Sequence, residues 1–257
     1  STLADGQMVW FGHSGFYLKL AGLSIAVDPA LHACFPLGGF FKPFAGADLY
    51  QPRDIPALNL LILTHDHYDH LDYGTVKAIR DKVDKVICPL GVGEHLEYWG
   101  YSAEKIVEMD WNEVYTSEPG FRITCLPARH FSGRFLRQNP SLWASFMLEG
   151  HSTVYIGGDS GYGAHFSEIG KRFPHIDLAI LENGQYNEDW RYIHTMPEQL
   201  PVEVHELDAA KVLPVHNSKF SLSRHAWDEP IHRIEQAATK DSSLHVIHGI
   251  IGSPITY

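Results

Sequence analysis

The eight residues His65-Asp66-His67-Tyr68-Asp69-His70-Leu71-Asp72 contain three histidines and three aspartates. They follow the apolar run Asn59–Leu63, which reads as a short buried strand. A chain that leaves a buried strand into such a cluster concentrates lone pairs at the strand's exit. On extended backbone the side chains at i and i+2 point the same way, so His65 and His67 can chelate one ion together. Asp69 and His70 come two and three residues later, where a turn aims them at a second ion beside the first. A solvated polar loop is the plain alternative, but the HxHxDH spacing behind a buried strand favours metal.

Four residues cannot fill two coordination spheres, so further ligands must come from elsewhere in the chain. Three candidates sit at the ends of expected strands. His130 follows Ile123–Arg129, Asp159 follows Val154–Gly158, and His216 follows Val212–Val215. Each alone fits a structural role equally well. Together they share one context, a ligand-type residue at a strand exit, which is where loops build a site.

The rest of the chain supports a folded α/β protein. Its 257 residues, 44% of them hydrophobic, suffice for a sizeable core. Met8–Phe11, Phe16–Leu20 and Leu23–Val27 read as an antiparallel meander, and residues 29–57 as a long irregular insertion rich in Gly, Pro and Phe. Val76, Ile79 and Val83 share a helix face that can start at Asp72 as N-cap. Further strands are expected at Lys85–Cys88, Ile106–Met109, Phe121–Leu126, Trp143–Leu148, Thr153–Gly157, Leu178–Leu181, Val212–Val215 and Leu244–Ile247. Helices are expected at Gly93–Trp99, Ala164–Arg172, Pro197–Leu207 and Ser223–Thr239. No linker, charge block or repeat divides the chain, so one domain over 1–257 is expected.

HxHxDH followed by His, Asp and His in this order resembles the metallo-β-lactamase superfamily. Longer words, Val9–His13, His65–Tyr73, Gly158–Tyr162 and Glu168–Phe173, are most similar to N-acylphosphatidylethanolamine-hydrolysing phospholipase D and its bacterial relatives. The resemblance covers nearly the whole chain and implies a four-layer αβ/βα sandwich with metals at the edge between two sheets. It implies that His65, His67 and His130 hold one ion, that Asp69, His70 and His216 hold the other, and that Asp159 bridges them. It also makes Asp69 and His194, the latter in Tyr192–Glu198, the catalytic candidates. The insertion departs from the family and leaves the substrate-binding surface open.

Histidine and carboxylate ligands without thiolates suit a catalytic site for two divalent ions, zinc first and manganese or iron next. Such ions, partly neutralised by two aspartates, complement a monoanionic phosphodiester, and a metal-activated water would attack phosphorus. His194 would then serve the leaving group or the phosphate as a proton donor. The same ions also serve lactonases and other carbonyl-ester or thiolester hydrolases, and a metal-binding protein without catalysis is a third class. Gly158-Asp159-Ser160-Gly161 copies part of a serine-protease signature, but a four-residue word does not establish a triad.

Thirty-one acidic residues against 20 basic ones give a net charge of −11, so nucleic acid is not an expected partner. The expected partner is a small-molecule or lipid phosphodiester, with a peripheral membrane contact through Phe35–Phe44 as the sharper reading of that phenylalanine cluster and burial as the plain one. Three widely spaced cysteines fit a reducing cytoplasm, while Ser1 at the first position leaves a removed leader open. The sequence does not set the oligomeric state.

Overall fold

The computed structural model describes residues 3–35, 41–118 and 120–257. In chain order the strands are β1 (Gln7–Trp10), β2 (Phe16–Leu20), β3 (Leu23–Val27), β4 (Leu58–Ile62), β5 (Val83–Pro89), β6 (Ile106–Met109), β7 (Val114–Glu118), β8 (Phe121–Leu126), β9 (Gly133–Arg134), β10 (Arg137–Gln138), β11 (Ser145–Glu149), β12 (Thr153–Ile156), β13 (Leu178–Glu182), β14 (Val212–Val215) and β15 (Pro254–Thr256). The α-helices are α1 (Tyr73–Ile79), α2 (Gly93–Tyr98), α3 (His165–Arg172), α4 (Leu200–Glu206) and α5 (Glu229–Lys240).

Two sheets result. One runs β15-β1-β2-β3-β4-β5-β6 and the other β14-β13-β12-β11-β8-β7, while β9 and β10 form a separate hairpin. Both sheets combine an antiparallel meander with parallel strands that are joined by longer connections. Thus β3, β4, β5 and β6 run parallel, as do β12, β13 and β14.

Strand alternation sorts the side chains into layers. Met8, Trp10, Leu18, Ile25 and Ile62 from one sheet meet Ile123, Phe146, Ile156, Ile180 and Leu213 from the other in the central core. Val9, Tyr17, Ala26, Leu61 and Val86 point outward against Val76 and Ile79 of α1 and Leu96 of α2. On the opposite outer face Met147, Tyr155 and Ala179 pack on Phe166, Val204 and Ile234 of α3, α4 and α5. This is the expected four-layer arrangement.

Most expected elements are present with shifted ends. Asp72 caps α1, its carboxylate accepting from Gly74 N and Thr75 N. The last helix starts at Glu229 rather than Ser223, because Pro230 tolerates only the first turn. Leu244–Ile247 is not a strand. Val246 makes a single isolated bridge to Val212 instead. Among the described residues of the 29–57 insertion the only helical turn is Pro52–Asp54, and Pro36–Phe40 lie outside the described residues.

The topology gathers the exits of several strands on one edge. Thr64 and the histidine loop follow β4, His130 follows β8, Asp159 follows β12, and His216 follows β14. Ligand sites form at the carboxyl ends of parallel strands because the connecting loops diverge there.

Candidate metal centre

The loop after β4 is held from below by Asp28, which follows β3. Its carboxylate accepts from Thr64 N at 2.9 Å, from Thr64 Oγ1 at 2.6 Å and from His70 Nδ1 at 2.8 Å. The Thr64 hydroxyl has given its proton to Asp28, so it accepts from His65 Nδ1 at 3.0 Å. His130 Nδ1 donates to the Ile193 carbonyl at 2.8 Å. These bonds leave His65 Nε2 and His130 Nε2 as inward lone pairs. Both face His67 Nδ1, at 3.0 and 3.1 Å.

A second group adjoins the first. Asp69 Oδ2 lies 3.3 Å from His216 Nε2 and 3.6 Å from His70 Nε2. Asp159 stands between the two groups. Its Oδ1 is 3.2 Å from His70 Nε2, and its Oδ2 is 3.2 Å from His216 Nε2, 3.8 Å from His130 Nε2 and 3.9 Å from His65 Nε2. All seven sequence candidates therefore converge. His194 lies at the rim, its Nδ1 2.7 Å from Glu182 Oε2 and 4.0 Å from Asp159 Oδ2.

The donor set fits divalent cations. A proton on His67 Nδ1 can bridge to only one of the two lone pairs facing it, whereas a cation accepts all three nitrogens. His70 Nε2 and Asp159 Oδ1 are buried and lie 3.2 Å apart without hydrogen-bond geometry, as two ligands of one ion would. His65, His67 and His130 offer mutually close donor atoms, as do His13, Asp69, His70 and His216.

Electrostatics separates the groups. Burial, reinforced by neighbouring imidazoles, holds His65 and His130 well below the usual histidine range, so both are neutral and ready to ligate. His67 is lowered by burial as well. Burial also disfavours charge on His216, but Asp159, Asp69 and Glu182 outweigh it and raise its pKa to about 10. His70 is raised well above the ordinary value in the same way by Asp159, Asp69 and Asp28. Burial acts against ionised Asp69 and Asp159, yet the surrounding imidazoles hold both well below the usual carboxylate range. A cation at the second group would compete with protons for His70 and His216.

Three residues join the site that the sequence reading does not single out as site members. Asp28 fixes His70. Glu182, the last residue of β13, accepts from Ser160 N, Thr195 N and His194 Nδ1, and lies 3.3 Å from His216 Nδ1. The strand-exit context that marks Asp159 applies equally to Glu182 after Leu178–Leu181. His13, which follows β1, sets its Nε2 2.8 Å from Asp69 Oδ2. Burial, with His216 nearby, lowers its pKa to about 3. The Gly12-His13 step after an apolar strand is its sequence signal. Ser160 does not build a protease triad. Its hydroxyl accepts from Arg129 N at 2.9 Å and lies 3.0 Å from His165 Nε2, and among the described residues no carboxylate pairs with His165.

A two-sheet αβ/βα sandwich with buried histidine and aspartate donors clustered at one edge is a metallo-β-lactamase-type architecture. The family model described as "Beta-lactamase superfamily domain" matches residues 25–217, and the chain belongs to that superfamily. An uncharacterised protein of Mycobacterium tuberculosis is 38% identical over 235 residues, covering 89% of this chain and 63% of its own length. N-acyl-phosphatidylethanolamine-hydrolyzing phospholipase D 1 of Caenorhabditis elegans is 31% identical over 220 residues, covering 79% of this chain and 60% of its own. The chain thus spans less than two thirds of these relatives. Among solved structures, Igni18, a metallo hydrolase of the archaeon Ignicoccus hospitalis, superposes with a TM-score of 0.72 at 22% identity, covering 98% of this chain and 97% of its own. That likeness concerns the fold.

Proposed function

We propose that the chain is a binuclear phosphodiesterase of phospholipase D type, acting on N-acyl-phosphatidylethanolamine-like or related phosphodiesters. The observation that carries this reading is the position of Asp159 between two complete donor groups, with a carboxylate-paired imidazole at the rim. His65, His67 and His130 would hold one ion, Asp69, His70 and His216 the other, and Asp159 would bridge them. The chemistry of the donors favours zinc, with manganese or iron as alternatives. The phospholipase D relative supports the reaction class.

When bound, divalent ions supply an ionised water at neutral pH and neutralise charge that develops on phosphate oxygens. The protein supplies the remainder. His194 donates its Nδ1 proton to Glu182, which leaves Nε2 outside that bond. Burial disfavours its protonation, but the Glu182 carboxylate and Asp159 prevail and raise its pKa. His194 therefore holds a proton that it can pass to a leaving alkoxide. Its side chain is 12% exposed, so a substrate can reach it from outside. Asp69, also at the rim, orients His13 and His216.

The test is elemental analysis of gently purified protein, paired with turnover of phosphodiester, lactone, thiolester and β-lactam substrates. Two ions per chain and chelator-sensitive phosphodiester turnover are expected, and His194→Gln should cut turnover heavily with metal content unchanged. A stoichiometry fixed near one, or turnover of a lactone and of no phosphodiester, overturns the reading.

A further inference from the structure

The strands β9 and β10 pair through two residues each, Gly133 with Gln138 and Arg134 with Arg137. A two-stranded ribbon of that length is not held by its own ladder. Gly133, Arg134 and Phe135 all bond instead to the loop that follows β4. Gly133 N donates to Asp66 Oδ1 at 2.7 Å, and Phe135 N donates to the Tyr68 hydroxyl at 3.2 Å. A single nitrogen of Arg134, Nη1, donates to the carbonyls of Asp66 and Leu71, both at 2.8 Å. Its two hydrogens thus meet two acceptors.

Those two carbonyls bracket residues 67–70, so three of the seven donors, His67, Asp69 and His70, stand on the stretch between them. The guanidinium also lies 4.0 Å from the ring centre of Tyr68, inside the same stretch, and 5.4 Å from that of Trp99. Stacking on Tyr68 fixes the plane of the guanidinium. Burial works against the charge of Arg134, whereas Tyr68, Asp66, Asp72 and Asp69 favour it. Its bonds nevertheless go to main-chain oxygens, which shape the backbone. The clamp also joins the two sheets. The hairpin begins three residues after His130 and so extends from β8 of the second sheet, while the loop follows β4 of the first.

We infer that Arg134 is a positioning residue for the metal centre, holding the loop after β4 in its ligating shape before any cation arrives. This rests on the proposed metal centre, and on the binuclear reading only for the number of ions affected. Two effects of Arg134 oppose each other. Its charge disfavours a nearby cation, whereas its bonds order the donors in advance and so lower the cost of binding. Lysine and methionine at this position separate the two, because only lysine keeps the charge.

The experiment titrates metal-free wild type, Arg134→Lys, Arg134→Met and Lys82→Met with zinc against a chromophoric chelator. Lys82 serves as the control. Its Nζ donates to the carbonyls of Pro52, Arg53 and Ile55 at 3.2, 3.0 and 2.7 Å, and it precedes β5, where Val83 pairs with Leu58 at the entry of β4. Lys82→Met therefore loses a comparable carbonyl clamp at the opposite end of the strands. Zinc affinity should fall by about tenfold to a hundredfold in Arg134→Met, as loss of an outer support of metal ligands does. Arg134→Lys should lose less, and Lys82→Met should match wild type. Hydrogen exchange of the metal-free proteins needs no cation. The amides of His70 and Leu71, which donate to the His67 carbonyl at 3.1 and 2.8 Å, should exchange faster in both Arg134 variants. If Arg134→Met does not fold, Arg134→Lys carries the test by the same criteria. Unchanged affinity or exchange, a gain of affinity in Arg134→Met, or an equal loss in Lys82→Met overturns the inference. A wild type that takes one ion, or turns over no phosphodiester, overturns the proposed function instead, and the Arg134 variants still test the clamp on the ion that binds.

Discussion

Glu203 shows how far the polar site reaches into the protein. Its side chain is fully buried on α4, one oxygen accepts from Thr195 Oγ1 at 2.8 Å, and the other has no partner. Burial pushes its carboxyl well above the ordinary range, and Glu182 and Glu206 add to the effect, so the folded protein keeps it protonated. The unfolded chain loses that proton near pH 4.3, to the nearest few tenths about the ordinary glutamate value. Above that point the folded state binds more protons, and stability falls as pH rises until the folded carboxyl ionises. Glu203→Gln has no proton to retain. Its melting temperature relative to wild type should therefore climb as pH is raised from about 4 upward, and thermal melts across that range check it. A difference independent of pH would mean that Glu203 is ionised in the fold. The sequence offers no hint of this residue, since a glutamate in Pro197–Leu207 looks like any helix surface charge. Asp28 and Glu182 do end apolar runs, but their role as supports of histidines is not visible in the sequence. Their partners lie 42 and 12 positions away, and only the fold brings them together. The seven donors were legible because they cluster or end apolar runs.

At the scale of elements, the segment before His194 is set by close backbone contact. A Cβ on Gly161 would meet Tyr192 O at 2.3 Å and Ile193 N at 2.8 Å, both backbone atoms. The loop after β12 and the turn carrying Tyr192–His194 pack together because residue 161 has no side chain. Gly161→Ala should push that turn outward. His194 would leave Glu182, and the Ile193 carbonyl would move from His130 Nδ1. On the proposed reading, turnover should fall by about tenfold or more, with affinity at the His65, His67 and His130 group reduced in the same variant, because outer hydrogen bonds orient such ligands. Steady-state kinetics and metal titration measure the two effects. Unchanged kinetics would show that the turn yields without consequence. Strands with apolar alternation were readable from the sequence, but β7 and β15 were not. β7 is a half-exposed edge in which Val114 is 52% exposed, and β15 has three residues beginning with a proline. Neither length nor pattern separates them from loop.

At the scale of the molecule, donors from both sheets meet at one edge. The loop after β4 belongs to the first sheet, whereas His130, Asp159 and His216 extend from the second. A cation held by both sheets binds the folded state and not the unfolded one, so it raises stability by mass action. Saturation at one hundred times the dissociation constant adds about 2.7 kcal/mol per ion. For a chain of this size that corresponds to roughly 5–10 °C per ion. Calorimetric melts with metal and with excess chelator should differ by at least that much. Coincident melts would show that the cations do not favour the folded state.

Donors spread along the sequence also impose an order of assembly. His65, His67 and His130 fall within 65 positions of one another along the chain. Asp69 and His70 must wait for His216, which lies 147 positions beyond Asp69. The first trio also waits on the second sheet, because His130 follows β8 and its ring is turned by the Ile193 carbonyl, and the second group closes only when β14 docks. On the proposed reading neither donor group is complete until the second sheet has formed, so cation uptake would report the closing of that sheet and not the folding of the β4 loop alone.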